Sequence, residues 1–174
     1  DANYLSPDCT FWMATKPSFT NNTSYFIEAI AFDKAGNSPL YVSTRTIKID
    51  DKPPSSSVNT PGNQVIRTIA NNLILGTSSD GETGVSTVKF ILRRNTDNKY
   101  YKKDIDPEFS EVEVTSNTLS PPLANWEFNI QIATFTSGTS YWAYSKATDD
   151  STNVESSPNA GQKTFVWDVT APTS

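Results

Sequence analysis

Two stretches of this 174-residue chain, TSYFIEAIAFDKAGN at 23–37 and TSYWAYSKATDDSTN at 139–153, are copies of one pattern. Tyr25, Ala31, Asp33 and Asn37 fall on Tyr141, Ala147, Asp149 and Asn153 at one constant offset. A pattern that recurs at fixed spacing marks a repeated supersecondary unit, so the chain carries more than one module. Each copy reads as a strand followed by its exit turn; a metal loop and a piece of an active site are the functional alternatives.

The rest of the chain agrees with strands. No window of a dozen residues keeps apolar residues at the i, i+3, i+4, i+7 spacing of a helix, whereas period-two alternation recurs. In WEFNIQI, Trp126, Phe128, Ile130 and Ile132 share one face and Glu127, Asn129 and Gln131 the other. VSTVKFILRR places Val88, Phe90 and Leu92 inward, and YVSTRTIKID offers Val42, Ile47 and Ile49. Short strands divided by PG, SSDGETG, NTDN, SPP and TSG predict an all-β fold, an antiparallel β-sandwich. Strands are expected at 64–69, 72–78, 86–94, 99–103, 110–115, 125–133, 139–148 and 163–169.

Composition breaks set the expected domains. IDDKPPSSSVNTPG places two prolines and then small polar residues, and reads as a stiff linker over 51–60. WDVTAPTS repeats the strand, Asp and Pro exit, so 61–170 is expected to be a complete module and 171–174 the start of the next linker. Residues 1–50 align only with the last three strands of that module: CTFWMATKPSF stands where ANWEFNIQIATF stands, and YVSTRTIKID where QKTFVWDV stands. Three strands of a sandwich have an inner face and no second sheet to cover it. Either this half belongs to a longer chain, or its missing strands come from another copy. The opening DANYLSPD, without initiator Met or apolar leader, reads as a mature product or an excised piece.

TSSDGETGVSTVKFIL, the Trp strand, the two copied segments and DVTAPTS together resemble the tandem immunoglobulin-like and fibronectin III-like repeats of bacterial surface and secreted proteins. Gly84, Val85, Val88 and Phe90 match the strand after an acidic turn; Tyr25, Ala29, Ala31, Asp33, Ala35, Gly36 and Asn37 match the second motif in full. The second copy departs from it with Ser145 and DDSTN, so its exit loop is expected to be longer or differently shaped. The resemblance implies an immunoglobulin-like sandwich, one complete module preceded by the C-terminal half of another, in an extracellular or cell-surface protein. Function does not follow from such a fold. Tyr25 and Tyr141 occupy the place of a tyrosine corner, with the ring inward and the hydroxyl bonded to nearby backbone. Gly36 supplies a positive φ, and Asn37 tolerates one and can bond local backbone.

Other functions are weighed against those structural roles. Asp33, Asp50 and Asp51, and separately Asp149, Asp150 and Asp168, offer hard oxygen ligands for an inter-module Ca2+, but none has EF-hand spacing. Glu127, Glu111 and Glu113 are the carboxylates a glycosidase would need. If Tyr25, Ile27, Ala29 and Ala31 point inward, Phe26, Glu28, Ile30 and Phe32 point outward, as Trp142 and Tyr144 do in the second copy. Phe26, Phe32, Trp142 and Tyr144 then form an apolar outer face that wants a partner. Lys89, Lys146 and Lys163 alternate outward, away from the burial an isopeptide crosslink needs, and NNTS at 21–24 is a surface sequon if the source glycosylates.

Several classes are disfavoured. The chain has no His, which removes the commonest general base and any Ser-His-Asp or Cys-His unit. Cys9 is the sole cysteine, so no intrachain disulfide forms, and a small half-buried residue is its expected role. Net charge is −5 with both signs scattered, so nucleic acid is not an expected partner. No apolar run is long enough for a membrane-spanning helix. The expectation is a non-enzymatic structural or adhesive module that binds other copies, neighbouring modules or surface glycans, with no cofactor unless Ca2+ is one. The alternative is a carbohydrate-binding accessory module of a larger secreted enzyme.

Overall fold

The computed structural model describes residues 2–4, 12–103, 109–110, 118–119, 124–156 and 162–173. Within them the protein is all-β, and its only helical turns are two short 3-10 segments at Ala70–Asn72 and Ile132–Thr134. No helix among the described residues is long and apolar enough to cross a membrane. The chain divides into two compact units, Asp1–Asp51 and Lys52–Ser174.

The first unit contains β1 (Ala2–Tyr4), β2 (Trp12–Ala14), β3 (Thr23–Ala29) and β4 (Ser43–Ile49). β1 pairs antiparallel with β2, and β3 with β4, the latter from Thr23 opposite Ile49 to Ala29 opposite Ser43. Three strands were expected over residues 1–50; the fourth is β1, whose ANY carries no alternation to read.

The second unit holds β5 (Ser55–Thr60), β6 (Val65–Ile66), β7 (Leu73–Ser79), β8 (Val85–Arg94), β9 (Lys99–Tyr101), β10 (Phe109–Ser110), β11 (Thr118–Leu119), β12 (Asn125–Asn129), β13 (Thr139–Asp149) and β14 (Lys163–Trp167). One sheet runs β12-β7-β5; the other runs β10-β9-β8-β13-β14-β6, with β11 also on β8. The two form a β-sandwich. Val58, Ile74, Trp126 and Phe128 from the smaller sheet meet Val88, Phe90, Leu92, Tyr101, Tyr141, Ala143, Ala147, Phe165 and Trp167 from the larger in one buried cluster. The alternation of β12 is the physical cause of its place there: Trp126 and Phe128 are buried while Glu127 and Asn129 face solvent. The strand stops at Asn129, short of the expected 133, because the Ile132–Thr134 turn follows and the Gln131 N–H donates to the Tyr101 hydroxyl at 3.1 Å.

Two expectations are corrected. The stretch read as linker, 51–60, contains β5, which pairs with β7 through Ser55–Ser79, Ser56–Ser78 and Ser57–Thr77. Its serines suit a strand because their hydroxyls pair across it: Ser57 Oγ lies 3.0 Å from Thr77 Oγ1, and Ser55 Oγ 3.1 Å from Ser79 Oγ. The sandwich is also not wholly antiparallel. β6 pairs parallel with β14, placing Val65 beside Val166 and Ile66 beside Trp167.

Candidate functional site

The copied segments share a tyrosine corner. The Tyr25 hydroxyl accepts the Thr20 N–H at 2.7 Å, and the Tyr141 hydroxyl accepts the Thr136 N–H at 2.9 Å. The rings pack on the matching phenylalanines, Phe19 with Tyr25 at 4.8 Å and Phe135 with Tyr141 at 4.5 Å between centroids. Their surroundings differ. Burial pushes the Tyr141 phenol above its ordinary pKa, whereas hydrogen bonds from Thr20, side chain first, hold that of half-buried Tyr25 below it.

The exit turns are also copies. Asp33 N–H donates to the Asn37 carbonyl at 3.0 Å and Asp149 N–H to that of Asn153 at 3.1 Å. In return each carboxylate accepts the asparagine's backbone N–H, at 2.8 Å in both turns, and its side-chain amide, at 2.7 Å and 2.9 Å. The expected difference in the second loop is therefore absent. Thr152, at φ 73°, takes the left-handed position that Gly36 fills at φ 88°. The Asn37 side chain is the first cause that draws Asp33 below the usual carboxylate range, helped by the backbone N–H groups of the same turn.

The acidic candidates are placed as follows in the two units. Both oxygens of Asp33 and both of Asp149 serve their own turns. Asp50 and Asp51 close the first unit, where the Asp51 N–H donates to Asn21 Oδ1 at 2.8 Å. Asp150 N–H donates to the Gly84 carbonyl at 3.1 Å, and Asp168 Oδ1 accepts the Thr170 N–H at 2.9 Å. Among the described residues, no three His, Cys, Asp or Glu of one unit gather at metal-ligand spacing. An acid not singled out in the sequence, Asp80, brings its carboxylate within 4.8 Å of that of Asp149. Asp80 Oδ2 accepts the N–H groups of Glu82, Thr83 and Gly84 at 2.8, 2.7 and 2.9 Å. Burial opposes its ionisation, and the N–H groups of Gly84, Glu82, Thr83 and Gly81 together outweigh it, so its pKa falls.

A second residue that sequence reasoning missed is Glu155, which is buried. Its Oε1 accepts the Ser56 N–H at 2.8 Å; its Oε2 accepts the Ala147 N–H at 3.0 Å and the Ser56 hydroxyl at 2.5 Å. Ser56 Oγ also bonds Ser145 Oγ at 2.8 Å. One carboxylate thus ties β5 of one sheet to β13 of the other. The signal in sequence is slight: a lone acid in a polar stretch, whose partner lies 99 residues away.

The expected aromatic surface splits. Phe26 and Phe32 are 66% and 67% exposed. Tyr144, at 4% exposure, is buried opposite buried Ile91 of β8, outside the core cluster, and is not a surface residue. Trp142 is half-buried under the Arg93 guanidinium, 4.5 Å from the ring centroid, beside Tyr144 at 4.5 Å, with its N–H on Gln162 Oε1 at 3.0 Å. Glu127 is exposed. Glu111, Glu113 and Cys9 lie outside the described residues.

The contrast between the copies is sharpest on the inward-facing positions. Tyr141, Ala143 and Ala147 of β13 are fully buried. The matching strand β3 leaves Ile27 42% exposed, and its two-stranded sheet provides no partner on the edge away from β4 among the described residues. No family model matches the chain, and no curated protein shows significant similarity to it.

Proposed function

We infer that this chain is a non-enzymatic structural or adhesive segment of an extracellular surface protein or filament, built of immunoglobulin-like modules. The observation that carries the reading is the paired hydrogen bonding of Tyr25 and Tyr141 and of Asp33 and Asp149. Tyr25, Tyr141, Asp33 and Asp149 spend their polar atoms on the backbone and side chains of their own corners and turns, and do so in the same way in both copies. Supporting the immunoglobulin-like assignment is the strand order, a three-stranded β12-β7-β5 sheet facing one centred on β8-β13-β14, with the corner tyrosine opening β13. One module occupies 61–170 together with β5, and residues 1–50 represent the C-terminal half of another. Its partners are neighbouring modules or other polypeptide segments, taken up at sheet edges. The glycan-binding alternative has less to stand on, because the Trp142 ring already carries Arg93.

Immunogold labelling with antibodies to the chain tests this function. Label on the surface of intact source cells, or along filaments projecting from them, is expected. Label that appears only after permeabilisation overturns the reading.

A further inference from the structure

The NNTS stretch at 21–24 holds two overlapping Asn-x-Ser/Thr acceptor patterns, Asn21 with Thr23 and Asn22 with Ser24. The fold separates them. Asn21 is half-buried, its Oδ1 accepts the Asp51 N–H at 2.8 Å, and the hydroxyl of its pattern, that of Thr23, donates to the Asn21 carbonyl at 3.2 Å. Asn22 and Ser24 are both exposed. The second copy shows what the turn itself requires. In the place of Asn22, at φ 55°, it has Gly138, at φ 78°, whose N–H donates to the Trp167 carbonyl at 2.7 Å as that of Asn22 does to Ile49 at 2.8 Å. In the place of Asn21 it has Ser137, whose Oγ accepts the Val169 N–H at 3.0 Å. The turn thus asks for one left-handed residue and one capping oxygen. Asparagine tolerates the left-handed backbone, and the turn of the second copy closes with no side chain at that position.

We propose that Asn22 is a modification site, the attachment point of an N-linked saccharide. In the transfer, Asn22 Nδ2 gives one proton to a base of the transferring enzyme and forms a bond to C1 of a sugar carried on a lipid pyrophosphate. The bond from C1 to the pyrophosphate oxygen breaks, and the lipid pyrophosphate leaves with its electron pair. The exposed Ser24 hydroxyl is the group the acceptor pattern requires two residues beyond the asparagine. A bulky hydrophilic group at this turn extends into solvent and displaces no packed side chain. The proposal rests on reading the chain as extracellular, where such saccharides are carried.

The test is mass spectrometry of the chain isolated from its source, with fragmentation of the peptide that spans Asn21 and Asn22. A saccharide mass on Asn22 and none on Asn21 is expected. Release of the saccharide by an amidase in heavy-oxygen water should leave a labelled aspartate in place of Asn22 and nowhere else in the peptide. Asn22→Gly adopts the residue of the second copy and keeps the turn, and Ser24→Ala keeps the asparagine. Each should abolish the modification. Asn21→Ser, which also adopts the residue of the second copy, should leave it intact. An unmodified Asn22 overturns the proposal, as does a saccharide on Asn21 or one that persists in Ser24→Ala. A chain that labels the cell surface with Asn22 unmodified loses this site and keeps the structural reading, whereas one confined within the cell and unmodified loses both.

Discussion

Gly76 lies directly opposite Trp126 across the β7–β12 pair, and a methyl group on Gly76 would overlap both the indole ring and the Ser57 carbonyl. The tryptophan lies over the glycine because only a hydrogen there leaves room for it inside the sandwich. Gly76→Ala is expected to cost about 3 kcal/mol, at the upper end for overpacking a core. Trp126→Leu in the same background should recover part of that loss. Urea unfolding of the single and double variants measures both, and additive losses would show that the two residues do not compete for one space.

The Glu155 carboxylate joins the two sheets through β5 and β13. Glu155→Ala leaves the buried N–H groups of Ser56 and Ala147 without their acceptor, a loss of about 3 kcal/mol. Ser56→Ala removes only the hydroxyl bonds and should cost about 1 kcal/mol. The urea midpoint of the second unit, followed by Trp126 fluorescence, orders the two. An equal effect from both would place the stabilisation in the hydroxyl rather than the carboxylate.

Thr152 holds a β-branched residue where its counterpart is Gly36. Relieving that conformation with Thr152→Gly is expected to raise stability by about 1 kcal/mol, after the extra freedom of the unfolded glycine is subtracted. The reverse change, Gly36→Thr, should destabilise the first unit by a similar amount. Thermal melts of both variants check the pair, and a Thr152→Gly protein that melts earlier would contradict it.

Acid should loosen both units. The folded pKa values of Asp33, Asp80 and Asp97 lie below the ordinary carboxylate value, that of Asp97 chiefly through the Arg94 side chain. A lowered folded pKa adds stability that is fully present above the unfolded value of about 4 and is lost as pH falls through the folded one. The urea midpoint is therefore expected to be level above about pH 5 and to decline below pH 4. Asp80→Asn should flatten the decline of the second unit, and an unchanged profile would remove Asp80 from the account.

Much of the sandwich was legible because it follows from alternation alone. Trp126 and Phe128 of β12 and Val88, Phe90 and Leu92 of β8 are buried as their spacing requires. The corner tyrosines and the first exit turn were legible because the chain states them twice, whereas the second turn was read as different because Thr152 stands where Gly36 does. β5 was not, since serine favours a strand only where a hydroxyl or carboxylate across the pair receives it, and that is a property of β7 and Glu155. Tyr144 misled for a similar reason. Alternation says which side of β13 it occupies, but its burial outside the core depends on packing that no local pattern records. Asp33 and Asp149 were ambiguous until their N–H donors were placed, because a turn and a cation site draw on the same side chains.

The parallel pairing of β6 with β14 has a mechanical consequence. The Val166 N–H bonds the Gln64 carbonyl at 3.0 Å and the Asp168 N–H that of Ile66 at 2.8 Å. Once β5 has come away from β7, tension on the two ends of the second unit pulls β6 from its N-terminal side and β14 from its C-terminal side. In a parallel pair those pulls slide one strand along the other, so neighbouring bonds bear the load together instead of opening one after another. A parallel pair loaded in shear yields abruptly and late, because its bonds must break together rather than in sequence.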